Sequence, residues 1–375
     1  MTFSQKMRGA VLNAPDEQLV IENLEMEPPR DNEIRVKLLA TGVCHTDISF
    51  MKRPFPVDQP IVLGHEGAGI VEVVGKSVTK VKVGDRVIMS FNFCGYCASC
   101  QLHAQSYCAN FFSSNFLGQR PDGSTALSKN GQPVRHNFFG QSSFATHSIC
   151  TENNLVKVPD YVSPELFELL GPLGCGFQTG AGAVINVLKP ELADAVVVFG
   201  AGAVGLAGVM AARAIGSAVI IAVDRVPERL QVARSLGATD TILAGSEIDV
   251  VERIMEITGR GANVSLDTTA VSTVLRQAID CLAPMGRCGF VGGAPVGATL
   301  EVDVRDMMLN GKTLRGIVEG DSNADVFIPK LIEMQAQGRF PFEQLIKVYP
   351  FEKINQAIDD AISGKTIKPV LRMAH

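Results

Sequence analysis

The chain of 375 residues lacks the features of a membrane protein or a nucleic-acid-binding protein. No stretch reaches the roughly 18 uncharged apolar residues that a membrane-spanning helix needs, and the N-terminal segment has no continuous apolar core of a signal peptide. Charged residues make up 19%, the net charge is −5 and no basic run occurs, which argues against nucleic acid as a partner. We therefore expect a cytoplasmic protein with neither a membrane nor a nucleic-acid partner.

The composition is that of a folded, turn-rich α/β protein, with 46% apolar residues, 36 Gly and 19 Pro. A chain of this length is longer than a single hydrophobic core usually accommodates, so two domains are expected. Between residues 8 and 90, short β-branched runs alternate as half-buried antiparallel strands do, and they predict a β-rich, barrel-like body. The stretch from Cys94 to about Gly140 has little periodicity, and we assign it to a cysteine-rich lobe and a long loop.

The second half of the chain has a different pattern of apolar residues. From about Ala195, continuous apolar strands alternate with helices of about ten residues, which is typical of a parallel, doubly wound sheet. After about Glu319 we predict helices and a final strand that return to the first domain.

Only nine cysteines occur, yet four fall within fifteen residues in the spacing C-x2-C-x2-C-x7-C. In a reducing compartment such dense thiolates are seldom disulfides, whereas this spacing can wrap a tetrahedral Zn²⁺. The alternative is four unrelated buried thiols. The sequence thus predicts a structural zinc site at Cys94, Cys97, Cys100 and Cys108.

Residues Gly200 to Gly205 match the dinucleotide-binding pattern G-x-G-x-x-G, between an apolar strand and a helix. In that pattern Gly200 permits the tight turn, Gly202 lets the backbone approach a pyrophosphate, and Gly205 allows close helix–strand packing. Asp224 ends the next strand, where it can bind the adenosine ribose and repel a 2′-phosphate. We predict NAD rather than NADP, although the neighbouring Arg225 could admit the phosphate. The alternative is a tight turn without a ligand.

Three further residues, Cys44, His65 and Cys175, are of the types that hold a catalytic zinc. Two cysteines and one histidine leave a fourth position open for water or substrate. These three residues are too far apart in the sequence for their spacing to establish a site. The alternative is that each cysteine is a small core residue, which is the more common role of a lone cysteine.

Several motifs resemble those of the zinc-dependent alcohol dehydrogenases of the medium-chain dehydrogenase/reductase superfamily. They are GVCHTD, GHEGAGIVEVVG, VGDRV, the four-cysteine lobe, and GAGAVG followed by Asp224. The resemblance covers about Arg8 to Lys368. Within the family the chain looks closest to bacterial aryl (benzyl) alcohol and geraniol dehydrogenases, judging from SFNFCGYC, FFGQSSFATH and LLGPLGCGFQTGAGA.

The resemblance implies a GroES-like, β-rich catalytic domain combined with a Rossmann domain. The implied boundaries are 1–180 for the catalytic domain with its zinc lobe at 94–108, 181–320 for the Rossmann domain, and 321–375 for a segment that completes the catalytic domain.

The resemblance also implies two zinc ions per subunit and a catalytic group of residues. The two cysteines and the histidine named above would hold the catalytic zinc, with Glu66 approaching it transiently. Asp47 would orient the histidine through its second ring nitrogen, and Thr46 would contact the alcohol oxygen and start a proton path. The catalytic residues are thus Cys44, Thr46, Asp47, His65, Glu66 and Cys175.

A second implied group binds NAD. Lys368 would contact the phosphates and Arg229 would lie near the adenosine ribose, although both could instead be solvated surface charges. Many relatives carry Arg after the first zinc cysteine and His four residues further on, whereas here these positions hold His45 and Ser49. The cofactor residues are His45, Gly200, Gly202, Val204, Gly205, Asp224, Arg229 and Lys368.

The implied activity is the reversible oxidation of a primary alcohol to an aldehyde by hydride transfer to NAD. Eight of the nineteen Phe lie between Phe91 and Phe144, without a cluster of Arg or Lys, which favours an aromatic or allylic alcohol such as benzyl alcohol or geraniol. Phe91 and Phe93 are the predicted wall of the substrate pocket, and ordinary lobe packing is the alternative.

Other functions stay open at this point. They are a glutathione-dependent formaldehyde dehydrogenase, a short-chain aliphatic alcohol dehydrogenase and a non-catalytic NAD-binding protein. The proton relay could end in water conducted by Ser49 or in release from the ribose. The resemblance further implies a homodimer or homotetramer, in which TLRGIVEG would pair across a two-fold axis as it does in relatives, although the sequence does not give the number of subunits.

Overall fold

The computed structural model describes residues 5–52 and 58–374, which form two compact units. The first unit contains the chain up to Cys175, residues 323–329, and the chain from Glu343 onward; the second contains the remainder. Residues 330–342 therefore belong to the second unit, whereas the sequence had assigned all of 321–375 to the first. Phe340 and Phe342 explain this difference, because both are fully buried and the ring of Phe342 lies 5.4 Å from that of Phe177 in the same unit. The predicted domain boundaries stay a prediction.

The described elements follow in chain order. The strands are β1 (Gln5–Leu12), β2 (Val20–Met26), β3 (Ile34–Gly42), β4 (Ile61–Val62), β5 (Gly67–Val74), β6 (Arg86–Met89), β7 (Leu127–Lys129), β8 (Gln132–Val134), β9 (His147–Cys150), β10 (Leu155–Lys157), β11 (Ala195–Phe199), β12 (Val219–Asp224), β13 (Asp240–Leu243), β14 (Ala262–Asp267), β15 (Leu282–Phe290), β16 (Thr313–Gly316), β17 (Ile346–Pro350) and β18 (Lys368–Arg372). The α-helices are α1 (His45–Lys52), α2 (Ala98–Gln101), α3 (Phe111–Phe116), α4 (Pro164–Phe167), α5 (Gly176–Gly182), α6 (Ala203–Ile215), α7 (Pro227–Leu236), α8 (Val250–Thr258), α9 (Ser272–Asp280), α10 (Val304–Leu309), α11 (Ala324–Ala336) and α12 (Ile354–Ile362). Short 3₁₀ turns occupy Gln105–Tyr107, Phe138–Gly140, Glu152–Asn154, Gly171–Gly174, Glu319–Asp321, Phe342–Leu345 and Phe351–Lys353, and a π-helical turn occupies Ala183–Leu188.

The first unit is the predicted β-rich body. One sheet has the order β4-β1-β2-β7-β8, and a second has the order β10-β6-β5-β3-β18-β17 with β9 also paired to β3. The pairs are antiparallel except β17 with β18. The final strand β18 thus returns to the first unit and pairs with β3, at whose end the candidate site begins.

The hairpin β7–β8 was not predicted, because its region was assigned to a long loop. Its two three-residue strands are too short to show alternation. They are joined by Asn130 and Gly131, which have φ of +52° and +76°, as an Asn-Gly hairpin turn requires. The Asn-Gly pair was the signal that could have located this hairpin.

The second unit is the predicted doubly wound sheet. All its strand pairs are parallel, in the order β13-β12-β11-β14-β15-β16. Its first strand, β11, is buried at all five positions. The strand order reverses direction between β11 and β14, and in open α/β sheets ligands bind beyond the carboxyl ends of the strands at such a point.

Helix starts in this unit follow from the local sequence. Pro227 occupies the first turn of α7, where its missing N–H is not needed. Asp249 caps α8 by accepting a hydrogen bond from the N–H of Glu252 at 3.0 Å. Within the described residues, no helix has both the length and the apolar character needed to cross a membrane.

Candidate active site

The first unit brings together two groups of side chains that could each hold a metal ion. The ligand atoms of Cys44, His65, Glu66 and Cys175 all lie within 4.8 Å of one another, and we call this group the buried cluster. Cys44 follows β3, the histidine and glutamate precede β5, and Cys175 follows the turn Gly171–Gly174. The fold therefore assembles the cluster from three distant parts of the chain.

A buried carboxylate orients the imidazole of His65. Asp47 lies in the first turn of α1 with no exposed surface. Its Oδ1 is 2.8 Å from Nδ1 of His65 and accepts the N–H of Gly64, while its Oδ2 accepts the N–H of Cys44 at 3.0 Å. Nε2, the other ring nitrogen, is buried and has no hydrogen-bond partner among the described residues. A buried nitrogen without a partner, on a ring fixed by a carboxylate, fits a metal ligand.

Electrostatics in the buried cluster favour a cation between these groups. Hydrogen bonding to Cys175 holds the pKa of Cys44 well below its usual value; burial opposes this shift, and the charges of His65 and Lys368 reinforce it. Burial alone would lower the pKa of His65, but the charges of Asp47 and Cys44 outweigh it and raise that pKa well above its usual value. A positive charge is therefore stabilised at Nε2, and a thiolate, the form that binds metals, lies beside it.

Glu66 is held by a buried ion pair with Lys368. The ammonium of Lys368, only 2% exposed, donates to Oε1 and Oε2 of Glu66 at 2.8 and 2.9 Å and to the carbonyl of Val43 at 3.2 Å. Burial lowers the pKa of Lys368, but the carboxylate outweighs this effect and raises it. A Cβ at Gly42 would lie 2.0 Å from Oε2 of Glu66, so only glycine leaves room for the carboxylate. The structure thus places Lys368 beside the buried cluster and not on the solvated surface.

The remaining predicted residues near Cys44 lie on α1. Thr46 is half-buried, and its Oγ1 lies 3.8 Å from the sulfur of Cys44. His45 is exposed at the first position of the helix, and Ser49 is half-buried one turn later. The role of His45 in cofactor binding stays a prediction.

Two aromatic rings contact the imidazole of His65. Phe139 stacks on His65 with ring centroids 4.4 Å apart, and Phe138 meets it edge-on at 5.7 Å. Phe91 is 2% exposed and lies 6.3 Å from Phe93, within the core of the unit. The motif FFGQSS contains both rings that contact the histidine, but the sequence offers no means to choose them among eight phenylalanines. The role of Phe91 and Phe93 as a substrate wall stays a prediction.

The second group consists of the four cysteines predicted to form a structural zinc site. The sulfur atoms of Cys94, Cys97, Cys100 and Cys108 all lie within 4.8 Å of one another. The separations Cys94–Cys100 and Cys97–Cys108 are both 4.0 Å. A disulfide requires about 2.05 Å, whereas four sulfurs placed tetrahedrally 2.3 Å from Zn²⁺ lie roughly 3.8 Å apart. The spacing therefore fits a tetrathiolate metal site, which we call the cysteine lobe.

Backbone N–H groups support the sulfurs of the cysteine lobe. Cys108 accepts from the N–H groups of Cys94 and Asn110, both at 3.3 Å, and Cys97 accepts from that of Ala109 at 3.4 Å. The hydrogen bond from Ala109 is the main cause that lowers the pKa of Cys97 to about 6. Burial raises the pKa of Cys100 to about 12.

In the second unit, the loop between β11 and α6 has the geometry of a phosphate-binding turn. Gly200 has φ of +91°, and a Cβ at Gly205 would lie 1.8 Å from the carbonyl oxygen of Gly200. Nothing lies within 4 Å of the place where a Cβ at Gly202 would stand, so this backbone is open to a ligand at the N-terminus of α6. Asp224 ends β12 and accepts from the N–H groups of Ala201 at 2.6 Å and Val226 at 2.9 Å.

The other predicted cofactor residues of this unit lie close to that loop in sequence. Val204 is in the first turn of α6. Arg229 is half-buried on α7, and its Nε is buried without a hydrogen-bond partner among the described residues. Arg225 is exposed. These positions leave the predicted roles of Val204 and Arg229 open to test.

Known proteins resemble both units. A model of the alcohol dehydrogenase GroES-like domain matches residues 30–160, and a model of zinc-binding dehydrogenases matches residues 203–334. The geraniol dehydrogenase of Castellaniella defragrans is 43% identical over 369 residues, which cover 97% of each chain. The chain belongs to the zinc-dependent alcohol dehydrogenase family.

Two solved structures support the membership in this zinc-dependent alcohol dehydrogenase family. An alcohol dehydrogenase zinc-binding domain protein from Burkholderia ambifaria superposes with a TM-score of 0.96 at 48% identity, covering 100% of both chains. The benzyl alcohol dehydrogenase of Acinetobacter calcoaceticus superposes with a TM-score of 0.93 at 44% identity, covering 99% of this chain and 100% of the other. The predicted family, its enzyme class and the fold of a GroES-like domain with a Rossmann-type sheet are confirmed.

Proposed function

We propose that this zinc-dependent alcohol dehydrogenase oxidises aromatic or allylic primary alcohols, of the benzyl alcohol or geraniol type, to aldehydes with NAD as the hydride acceptor. The observation that carries the proposal is the buried Nε2 of His65, which has no described hydrogen-bond partner and lies among the sulfurs of Cys44 and Cys175. Two thiolates and one imidazole leave a fourth metal position for the alcohol.

The chain's own groups prepare the alcohol for oxidation. Zn²⁺, when bound, is a Lewis acid that lowers the pKa of an alcohol ligand. Cys44, His65 and Cys175 hold the metal, while Lys368 restrains the carboxylate of Glu66 so that it approaches the metal only when their ion pair opens. Thr46 accepts the proton of the alcohol at Oγ1 while its own hydroxyl proton moves on toward solvent. That path ends either in water conducted by Ser49, one turn further along α1, or in release from the ribose of NAD. A second zinc occupies the cysteine lobe, giving two ions per chain.

The second unit holds NAD at the N-terminus of α6. Gly202 leaves space for the pyrophosphate, and Asp224 favours a free ribose over a 2′-phosphate by charge. His45, Val204 and Arg229 are proposed to contribute further contacts, and Lys368, which is held in its ion pair with Glu66, would do so when that ion pair opens. Because the carboxylate of Asp224 would bind the ribose hydroxyls and repel a 2′-phosphate, its replacement by Ala should weaken NAD binding more than NADP binding.

Apolar character around the buried cluster supports the proposed substrate class. Phe138 and Phe139 contact the imidazole, and Phe116 lies 5.0 Å from Phe139. A planar alcohol gains more from burial against such rings than ethanol does, because the stabilisation scales with the apolar area removed from water.

The test is a series of kcat/KM values for ethanol, hexanol, benzyl, cinnamyl and geranyl alcohols, each with NAD⁺ and NADP⁺. This ratio reports differences in transition-state binding directly. We expect benzyl, cinnamyl or geranyl alcohol to exceed ethanol by at least about 10²-fold, since each buried methylene contributes about 0.8 kcal/mol. A preference for ethanol, or activity confined to S-hydroxymethylglutathione, would contradict the proposed substrate class.

We also propose that the chain forms a homodimer or homotetramer in the cytoplasm. The edge strand β16 pairs with β15, and its other side carries no described pairing. Beside it in sequence, α10 exposes Val304, Met308 and Leu309 at 74%, 71% and 64%. Apolar side chains next to an unpaired strand edge are typical of an interface between copies. Sedimentation of the wild type and of the Met308→Glu, Leu309→Glu double variant should show an oligomer and a smaller species, respectively.

A further inference from the structure

One buried segment beside the buried cluster has an unusual backbone. Between residues 137 and 142, four residues have positive φ: Asn137 (+74°), Phe139 (+52°), Gly140 (+67°) and Ser142 (+50°). Left-handed conformations are costly for residues other than glycine, and they persist only where surrounding contacts hold them. The contacts of Gln141, in the middle of this segment, supply such a restraint.

The amide of Gln141 joins three backbone groups around the cluster. Gln141 is 1% exposed; its Oε1 accepts the N–H of Gly67 at 3.1 Å, and its Nε2 donates to the carbonyl of His65 at 2.9 Å. These two bonds bracket Glu66, the residue between them. Nε2 also donates to the carbonyl of Ser90 at 3.2 Å.

Ser90 continues the connection to the third part of the cluster. Its hydroxyl donates to the carbonyl of Gly174 at 2.7 Å, directly before Cys175. A Cβ at Gly174 would lie 1.9 Å from the carbonyl oxygen of Met89, so the backbone segments around these two residues are in close contact. One hydrogen-bonded path thus runs from His65 through Gln141 and Ser90 to the peptide before Cys175.

We propose that Gln141 is a positioning residue of the metal site, whose amide fixes the backbone of His65 and Glu66 relative to that of Cys175. The inference rests on the proposed function of the buried cluster. Gln141 acts through these backbone groups and not on the substrate. Outer residues that orient metal ligands typically change metal affinity or activity 10–100-fold when replaced.

The test is the rate at which full-length, zinc-loaded protein loses each of its two zinc ions to an excess of EDTA, followed by mass spectrometry of the retained metal. In Gln141→Met, which keeps the side-chain volume and loses all three hydrogen bonds, we expect one ion to leave about 10–100-fold faster and the other at the wild-type rate. Gln141→Glu keeps an acceptor for the N–H of Gly67. It donates to neither carbonyl when ionised and to only one of the two when protonated, so it should also show the selective loss. This second variant serves if Gln141→Met does not fold.

Ser143→Ala is the matched control, because its hydroxyl forms a buried hydrogen bond of 2.7 Å with Thr41 in the same part of the chain. We expect it to lower Tm without changing the loss of either ion. Wild-type rates for both Gln141 variants, or equal acceleration in Ser143→Ala, would overturn the inference. If instead the wild type binds no zinc at the buried cluster and oxidises no alcohol, the proposed function fails, a result that the wild type alone reveals.

Discussion

The two metal clusters of the first unit differ in what supports their ligands. The cysteine lobe is local: its four sulfurs come from fifteen consecutive residues. Two of them, those of Cys97 and Cys108, accept hydrogen bonds from N–H groups within or directly after this segment. The buried cluster draws on three distant segments, and its support comes from side chains, namely the carboxylate of Asp47, the ammonium of Lys368 and the amide of Gln141.

This difference in support matches the different roles of a closed metal site and a metal site with an open position. A site closed by four thiolates needs no orientation beyond its own loop, since all tetrahedral positions are filled by protein. A site with an open position must hold its ligands from outside, because an exchanging alcohol cannot do so. We therefore expect the buried cluster to be sensitive to changes at residues that never touch the metal, and the cysteine lobe to be sensitive mainly to its own cysteines.

The largest effect is expected from Cys175→Ser, which removes one ligand of the buried cluster. Lewis-acid stabilisation is worth several kcal/mol, so kcat/KM for benzyl alcohol should fall by about 10³–10⁴-fold while one zinc per chain is retained. Cys150→Ala is the control, because this buried thiol lies outside both clusters and donates to the carbonyl of Ile34. Full activity of Cys175→Ser would break the assignment of the buried cluster as the catalytic site.

Removing a ligand from the cysteine lobe should reduce thermal stability and leave catalysis nearly unchanged. Cys100→Ser is expected to lower Tm by roughly 5–10 °C, because a structural metal contributes folding energy. Measured below the unfolding transition, kcat/KM for benzyl alcohol should stay within about a factor of two, since the two clusters share no ligand. Calorimetry with parallel kinetics checks this, and a large loss of kcat/KM at unchanged Tm would show that the two clusters are coupled.

Asp47→Asn changes a residue that orients the buried cluster and replaces none of the metal ligands. The amide cannot attract the Nδ1 proton of His65 by charge, so the imidazole is less firmly oriented, and kcat/KM should fall about 10–100-fold. Zinc content after dialysis at low free zinc should fall for one ion only. The matched variant is Asp249→Asn, which changes a carboxylate that caps α8 in the second unit. Equal changes of kcat/KM and zinc content in the two variants would show that Asp47 has no special role in orienting His65.

The sequence predicts local features better than those that depend on the fold. The cysteine lobe follows from spacing, and β11 begins at Ala195, where the sequence predicts that the strands of the parallel sheet begin, because both features are encoded in consecutive residues. The buried cluster could be expected only from family resemblance, since its parts lie 131 residues apart between Cys44 and Cys175.

Two contacts of the buried cluster escaped sequence reasoning altogether. The ion pair between Lys368 and Glu66 joins residues 302 positions apart, and Gln141 contacts three backbone groups at once, those of His65, Gly67 and Ser90. An isolated lysine or glutamine is ordinarily a surface residue, and only the return of β18 to β3 and the left-handed segment 137–142 bury these two. No local pattern reports such convergence.

The smallest effect concerns the chemistry of a single thiol in metal-free protein. Since the hydrogen bond from Ala109 lowers the pKa of Cys97 to about 6, its thiolate should form as the pH rises through 6, and alkylation by iodoacetamide should be half-maximal near that pH. An ordinary thiol would titrate near 8.5. The rate advantage at pH 7 should be only about threefold, because a less basic thiolate is also a weaker nucleophile. Peptide mapping between pH 5 and 9 gives the midpoint; a value near 8.5 would mean that the backbone of the cysteine lobe does not stabilise thiolates before the metal binds.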